Sequence, residues 1–145
     1  GQVEQAVRSL MRLGYEDVEV QLGGGVTKWE TSGRTFHHMP AVYAGELVPM
    51  IRGGEITLLD VRGVDEYQKR RLPGAVNVYV GHVLDRLGEI PTERPVVTFC
   101  GSGRRALIAA TLLKNNGFED VRVCFGSMSA CVSLGCHMVG EAQNT

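Results

Sequence analysis

The chain has 145 residues, 43% of them hydrophobic and 21% charged, with a net charge of −1 at neutral pH. That is enough apolar material for one domain with a buried core and some additional chain. The near-neutral balance argues against a nucleic-acid-binding surface, which needs clustered positive charge, and no apolar run approaches the ~20 residues of a membrane-spanning helix. The opening GQVEQAVRSL lacks a basic stretch followed by an apolar one, so no leader is expected. It also lacks an initiating Met, as expected of a fragment or a processed chain.

Taken in order, Ala6, Leu10 and Leu13 follow a helical period over residues 5–13, with Gly14 as C-cap. Residues 17–22 alternate like a strand, with Val18, Val20 and Leu22 on one face. Three glycines then turn the chain into a short segment ending at Trp29, and residues 31–40 read as linker. Residues 47–51 suggest a short helix in which Pro49 is tolerable only in the first turn. Residues 56–61 form a strongly apolar strand running into Asp60 and Arg62, and residues 64–71 a polar helix. After the turn Leu72-Pro73-Gly74-Ala75, a strand is expected over 76–80 and helical spacing at Val83, Leu84 and Leu87. Val96, Val97, Thr98 and Phe99 are the β-branched and aromatic residues of a short buried strand. Residues 106–113 are almost continuously apolar and read as a buried helix, capped by Asn115-Asn116-Gly117. Val121, Val123 and Phe125 alternate as a last strand, followed by Gly126 and a polar turn. Strands alternating with helices indicate an α/β fold with a parallel sheet.

The stretch between residues 99 and 106, Cys100-Gly101-Ser102-Gly103-Arg104-Arg105, joins a strand to a helix. Backbone amides converge at such a junction and the helix dipole favours an anion. The thiolate, the nucleophilic form of cysteine, is favoured there, so Cys100 is a candidate nucleophile. The bland alternative is an inert buried thiol. The other cysteines, Cys124, Cys131 and Cys136, form no CxxC pair, and all four read as reduced thiols of a cytoplasmic domain, the last three as core or supporting residues. Cys131, Cys136 and His137 match no standard zinc spacing, so no metal is expected.

An internal repeat is also present. Gly14-Tyr15-Glu16-Asp17-Val18-Glu19-Val20 matches Gly117-Phe118-Glu119-Asp120-Val121-Arg122-Val123 at five of seven positions. After a one-residue slip, GGVTKWETSG (24–33) matches GSMSACVSLG (126–135). Residues 1–40 thus copy the last third of the domain that follows, without its first strand or cysteine loop.

The segments Leu58-Leu59-Asp60-Val61-Arg62, Glu66-Tyr67, Leu72-Pro73-Gly74-Ala75-Val76-Asn77-Val78 and the Cys100 loop, closed by Gly126-Ser127-Met128-Ser129-Ala130, resemble the rhodanese (sulfurtransferase) homology domain in order and spacing. The resemblance implies a three-layer α/β/α fold around a parallel sheet of about five strands. It implies a division into residues 1–40 (part of a second rhodanese-like repeat, and linker), 41–140 (the domain) and 141–145 (a tail). By the same resemblance Cys100 takes the outer sulfur of a small anionic donor such as thiosulfate as a persulfide. It then yields that sulfur to cyanide, a thiol or a protein acceptor, with no other cofactor. Gly101, Ser102, Gly103, Arg104 and Arg105 would form the cradle, with Arg105 binding an oxyanion and Arg104 facing solvent. Asp60, Arg62 and Glu66 would support it, Arg62 pairing with Glu66. Departures from the family pattern are Arg70-Arg71 before Leu72, Ala106 in place of a Ser, and Cys131 in place of a Trp that the first copy keeps as Trp29.

Three other readings compete. Gly101-Ser102-Gly103-Arg104-Arg105-Ala106 fits a dinucleotide loop, but the strand that follows ends without an acidic residue to hold a ribose. A cysteine phosphatase needs one more residue between Cys and Arg than the four found here. A non-catalytic rhodanese-like binding module is the third, with the partial first repeat as an association surface.

Overall fold

The structure, a computed structural model, describes residues 4, 5, 7, 8, 24–34 and 38–140. The chain divides into two compact units, residues 1–37 and 38–145. In the first, Glu4, Gln5, Val7 and Arg8 are helical, and the rest of the helix expected over 5–13 lies outside the described residues. The strand expected over 17–22, and with it the first half of the repeat, lies outside the described residues. The segment around Trp29 is a helix, α1 (Gly25–Thr31), opened by Gly24 at φ 83° and Gly25 at φ 62° and closed by Gly33 at φ 74°.

The second unit is built on five parallel strands, β1 (Ala41–Tyr43), β2 (Thr57–Asp60), β3 (Val76–Asn77), β4 (Val96–Phe99) and β5 (Val121–Phe125), in the order β1-β5-β4-β2-β3. Helices α2 (Ala44–Arg52), α3 (Val64–Lys69), α4 (Arg104–Asn115) and α5 (Ser127–Ser133) cover it. Strand β4 is central and buried at all four positions, with β2 and β5 on either side. Its side chains alternate between two apolar clusters. Val96 and the following Cys100 join Leu59, Val61, Val121, Val123 and the inner face of α4, whereas Val97 and Phe99 join Val42, Leu47, Leu58, Cys124, Met128 and Cys131. One cluster lies on each face of the sheet, which is the three-layer arrangement expected.

Several local expectations are corrected. The fifth strand of the sheet is β1, three residues in a stretch without strand-length apolar alternation; it forms because Ala41, Val42 and Tyr43 pair with Val123, Cys124 and Phe125. Helix α2 runs from Ala44, so Pro49 lies in its interior rather than its first turn. The carbonyl of Gly45 that loses its amide partner is on an exposed face, where water can take it. Val83, Leu84 and Leu87 do not share a helix: residues 83–86 are turns between short 3₁₀ segments at Val80–His82 and Leu87–Glu89. Helix α4 is buried only on the Ala106, Ala109, Ala110, Leu113 face, and Leu107 and Ile108 are exposed. The spacing i, i+3, i+4, i+7 made the inner face, and three small alanines let it lie close to the sheet. The polar turn after Gly126 is helix α5. Among the described residues no helix is long and apolar enough to cross a membrane.

Thr98 fixes the start of α4 to the sheet. Its buried hydroxyl lies 2.9 Å from the carbonyl of Ala106 and 3.3 Å from that of Arg122. Thr98→Val keeps the shape and removes the donor, so it is expected to lower stability by about 1 kcal/mol. In urea the midpoint should fall while the slope stays unchanged; an unchanged midpoint would show that the hydroxyl does not hold α4.

Candidate active site

Cys100 follows the last residue of the central strand and is completely buried. Three residues separate it from α4, and the last of them is Gly103, whose φ of 106° an L side chain rarely adopts. That conformation aims the Gly103 amide back at the thiol, with N and Sγ 3.0 Å apart. Three further backbone groups of the loop are met by α5. The Cys100 amide donates to Ser127 Oγ (3.1 Å), the Met128 amide to the Cys100 carbonyl (3.0 Å), and the Ser129 amide and hydroxyl to the Gly101 carbonyl (3.0 Å each). Ser127 completes the bridge by donating its hydroxyl to the Cys124 carbonyl at 2.7 Å. It does so from φ 43°, in the left-handed region, as the non-glycine exception among the described residues.

The end of the neighbouring strand β2 supplies the charges. Asp60 and Arg62 form a buried pair with side chains 0% and 5% exposed. The guanidinium bonds both carboxylate oxygens at 2.6–3.1 Å and donates to the Arg70 carbonyl at 2.7 Å. Asn77 ties the same turn together from β3 by donating to the Asp60 and Arg62 carbonyls. Glu66 does not pair with Arg62 as expected; Asp60, two residues away and buried, takes that guanidinium. Glu66 accepts instead from both terminal nitrogens of Arg105, at 2.6 and 2.9 Å, and from the Gly63 amide that opens α3. Arg105, expected to offer its fork to an oxyanion, thus has it on Glu66. The hydrogen bond to Arg105 holds the Glu66 carboxyl below its ordinary range, and Glu66 raises Arg105 in turn.

An open cleft of about 590 Å³ adjoins the loop, lined by Gly101, Arg62, Glu66, Lys69, Arg70, Met128, Ser129 and Val132. The structure brings Asp60, Arg62, Glu66, Gly101 and Arg105 to this end of the sheet, and leaves Ser102 and Arg104 exposed beside it. His82 is an exposed residue set edge-on to Tyr79. Burial above all pushes the Cys124 thiol up to about 11 and Cys131 up to about 12, so both are protonated at neutral pH. Among the described residues no group of three His, Cys, Asp or Glu side chains is placed to hold a metal ion.

The family pattern of the Rhodanese-like domain matches residues 43–133. The chain belongs to the rhodanese-like family. YrkF of Bacillus subtilis, provisionally named a sulfur carrier protein, is 38% identical over 66 residues, 46% of this chain and 36% of its own length. The thiosulfate sulfurtransferase GlpE of Shewanella oneidensis is 27% identical over 96 residues, 66% of this chain and 92% of its own. An HTH-type transcriptional regulator of Mycobacterium tuberculosis is 40% identical over 60 residues, 41% of this chain and 26% of its own. The chain therefore spans about a third or less of the two longer relatives. Among solved structures, a thiosulfate sulfurtransferase from Pseudomonas aeruginosa superposes with a TM-score of 0.65 at 25% identity, over 97% of this chain and 31% of its own. Among the family's members similar to this chain are proteins named as sulfurtransferases.

The sequence pointed to the rhodanese-like loop and to residues 126–130 as the turn that closes it, but gave Ser127, Met128 and Ser129 no role at the site and missed Lys69. The signal for Ser127 was present: the repeat sets it opposite Gly25, a position whose conformation glycine favours. Ser127→Ala leaves the buried Cys100 amide without its acceptor and should cost about 1–3 kcal/mol. Ser127→Gly loses the same bond but sheds left-handed strain of about 1 kcal/mol. Urea unfolding should therefore rank wild type above Ser127→Gly and Ser127→Ala lowest; equal stability of all three would mean that the bridge carries no weight. The Glu66–Arg105 pair has a pH signature. A depressed carboxyl pKa stabilises the fold above the unfolded value of about 4.3, and that stabilisation is lost as pH falls through the lower folded value. Both side chains are at least a third exposed, so the gain is at most about 1 kcal/mol. Wild type should exceed Glu66→Gln in urea midpoint by a constant margin between about pH 5 and 8, and the margin should close below about pH 4.

Proposed function

We propose that this chain transfers sulfane sulfur through a persulfide on Cys100. The observation that carries this reading is the thiol at the end of the central strand with the Gly103 amide aimed at its sulfur at 3.0 Å. Cys100, as thiolate, attacks the outer sulfur of a small anionic donor such as thiosulfate. The donor's S–S bond breaks and sulfite leaves with the electron pair, so Cys100 holds one extra sulfur. Cyanide or a thiolate then attacks that terminal sulfur, and the Cys100 thiolate departs as leaving group. The Gly103 amide stabilises negative charge at the sulfur in each step, supported by the other amides of Gly101, Ser102, Arg104 and Arg105. Lys69 and Arg70, with Arg62 behind them, draw the donor's sulfonate into the cleft. Arg105, held by Glu66, acts on the site through its charge and by fixing the loop, and the exposed Arg104 attracts anions. No cofactor beyond the persulfide, no metal, no membrane and no nucleic acid enters this scheme. The protein acts in the cytoplasm, where its thiols stay reduced.

We further read residues 1–40 as the C-terminal piece of a second rhodanese-like repeat, ahead of the domain at 41–140 and a tail at 141–145. Helices α1 and α5 share left-handed residues at the same three places, Gly24, Gly25 and Gly33 against Gly126, Ser127 and Gly135. The likeness to the Pseudomonas structure covers 97% of the chain, whereas the family pattern matches 43–133. Such a piece offers an association surface.

A non-catalytic binding module is favoured by one observation, the complete burial of Cys100, and a rhodanese-like stretch within a transcriptional regulator is consistent with it. Intact-mass measurement after incubation with thiosulfate separates the two. Sulfur transfer predicts a gain of one sulfur atom by wild type, none by Cys100→Ser, and return to the starting mass on adding cyanide. No gain with thiosulfate or with a small-molecule persulfide would leave the binding module.

A further inference from the structure

Helix α5 ends in a tight reverse cap. The Gly135 amide, with Gly135 at φ 67°, bonds the Val132 carbonyl at 3.1 Å, and the Cys136 amide bonds the Cys131 carbonyl at 3.0 Å. In this cap the residue one turn before the helix end and the second residue beyond it lie side by side, and their side chains commonly touch. Those two residues are Cys131 and Cys136. Chain geometry with a 3.0 Å amide-to-carbonyl bond holds their α-carbons within about 7 Å, close to the span that a disulfide bridges. The first copy of this element is an independent check on the side chains. There the matching positions are Trp29 and Arg34, and the guanidinium carbon of Arg34 lies 4.6 Å from the centre of the Trp29 ring. Both cysteines belong to the same apolar cluster, Cys131 fully buried and Cys136 partly accessible.

We propose that Cys131 and Cys136 form a dithiol site that closes reversibly to a disulfide under a low-molecular-mass disulfide oxidant. Cys136, the accessible partner, attacks one sulfur of the oxidant as its thiolate, and the first small thiolate leaves. Cys131 then gives up its proton and attacks Cys136 Sγ in the mixed disulfide, expelling the second small thiolate. Two protein thiols are oxidised, one small disulfide is reduced to two thiols, and the protons of the two cysteines pass to those thiols. Burial, then contact with the Cys136 thiol, pushes Cys131 up to about 12, which assigns the first attack to Cys136. The site is separate from sulfur transfer at Cys100, and its chemistry needs no persulfide.

The test uses the full chain with oxidised glutathione as the probe. The reaction is quenched with acid, the chain is unfolded with a thiol-alkylating reagent present so that the buried thiols are blocked as they appear, and chymotrypsin then cuts after Phe125 and Leu134, separating Cys124, Cys131 and Cys136 into different peptides. The expected non-reducing map links the Cys131 and Cys136 peptides in most chains, and a reductant releases them. Cys100→Ser and Cys124→Ser should form the same link, and Cys136→Ser should not. Four unlinked thiols, glutathione retained on Cys136 without closure, or a link that joins Cys100 or Cys124 in place of the pair would each overturn the proposal.

Discussion

The loop after β4 and the start of α5 each carry backbone groups that their own element cannot satisfy, and each satisfies the other. A helix leaves its first amides without partners, and α5 gives those of Met128 and Ser129 to the carbonyls of Cys100 and Gly101. The loop has an inward amide at Cys100 with no neighbouring strand to accept it, and Ser127 Oγ does so. Buried backbone groups left alone would cost about 1–3 kcal/mol each. The seven-residue helix and the four-residue loop are therefore stable only together, although 27 residues separate Cys100 from Ser127. The position of the thiol at the end of the central strand follows from that exchange as much as from β4.

The charges of the site follow from a second exchange. Arg62 and Arg105 could each have faced an anion, and each meets a carboxylate instead. For Arg62 burial leaves no choice: an unpaired guanidinium there would be destabilising by about 3–5 kcal/mol, and Asp60 with the Arg70 carbonyl removes that cost. The Arg105–Glu66 pair is half in water and worth much less. Its consequence is geometric, because it ties α3, which follows β2, to the first turn of α4, which follows β4. The crevice between the carboxyl ends of these two neighbouring strands, where the chain order of the sheet reverses, is where α/β folds take ligands. The cleft opens at that end, with Lys69 and Arg70 on its wall.

Much of this was legible in the sequence because it rests on local pattern. The apolar runs gave β2, β4 and β5, and the Gly-rich break before an apolar stretch gave the loop and α4. Cys100 and its neighbours were found as a set because strand, turn and helix follow one another directly. What was not legible depends on distant pairing. Strand β1 exists only because β5 offers it an edge. Helix α5 looked like a polar turn because its buried residues, Ser127, Met128 and Cys131, do not look like a core face until the loop they pack under is present. Arg62 was assigned to Glu66, whereas a two-residue turn at a buried strand end brings Asp60 closer. The continuous apolar run in α4 concealed its two faces, since Leu107 and Ile108 are exposed despite their composition.

The sequence match between residues 24–33 and 126–135 allows two helix openings to be compared. Helices α1 and α5 open on the same pair of left-handed residues, but the second residue is Gly25 in one and Ser127 in the other. Glycine takes that conformation freely; serine takes it at a cost of about 1–2 kcal/mol. A costly residue in place of a free one persists where the surroundings over-determine it, and here two buried hydrogen bonds do so, one to the cysteine loop and one to the Cys124 carbonyl. The first copy's matching position carries no hydroxyl. The strained serine thus marks the copy that holds a thiol in place. The same substitution, read between the two copies of the sequence, distinguishes a helix opening that only needs to turn the chain from one that also has to anchor a reactive loop.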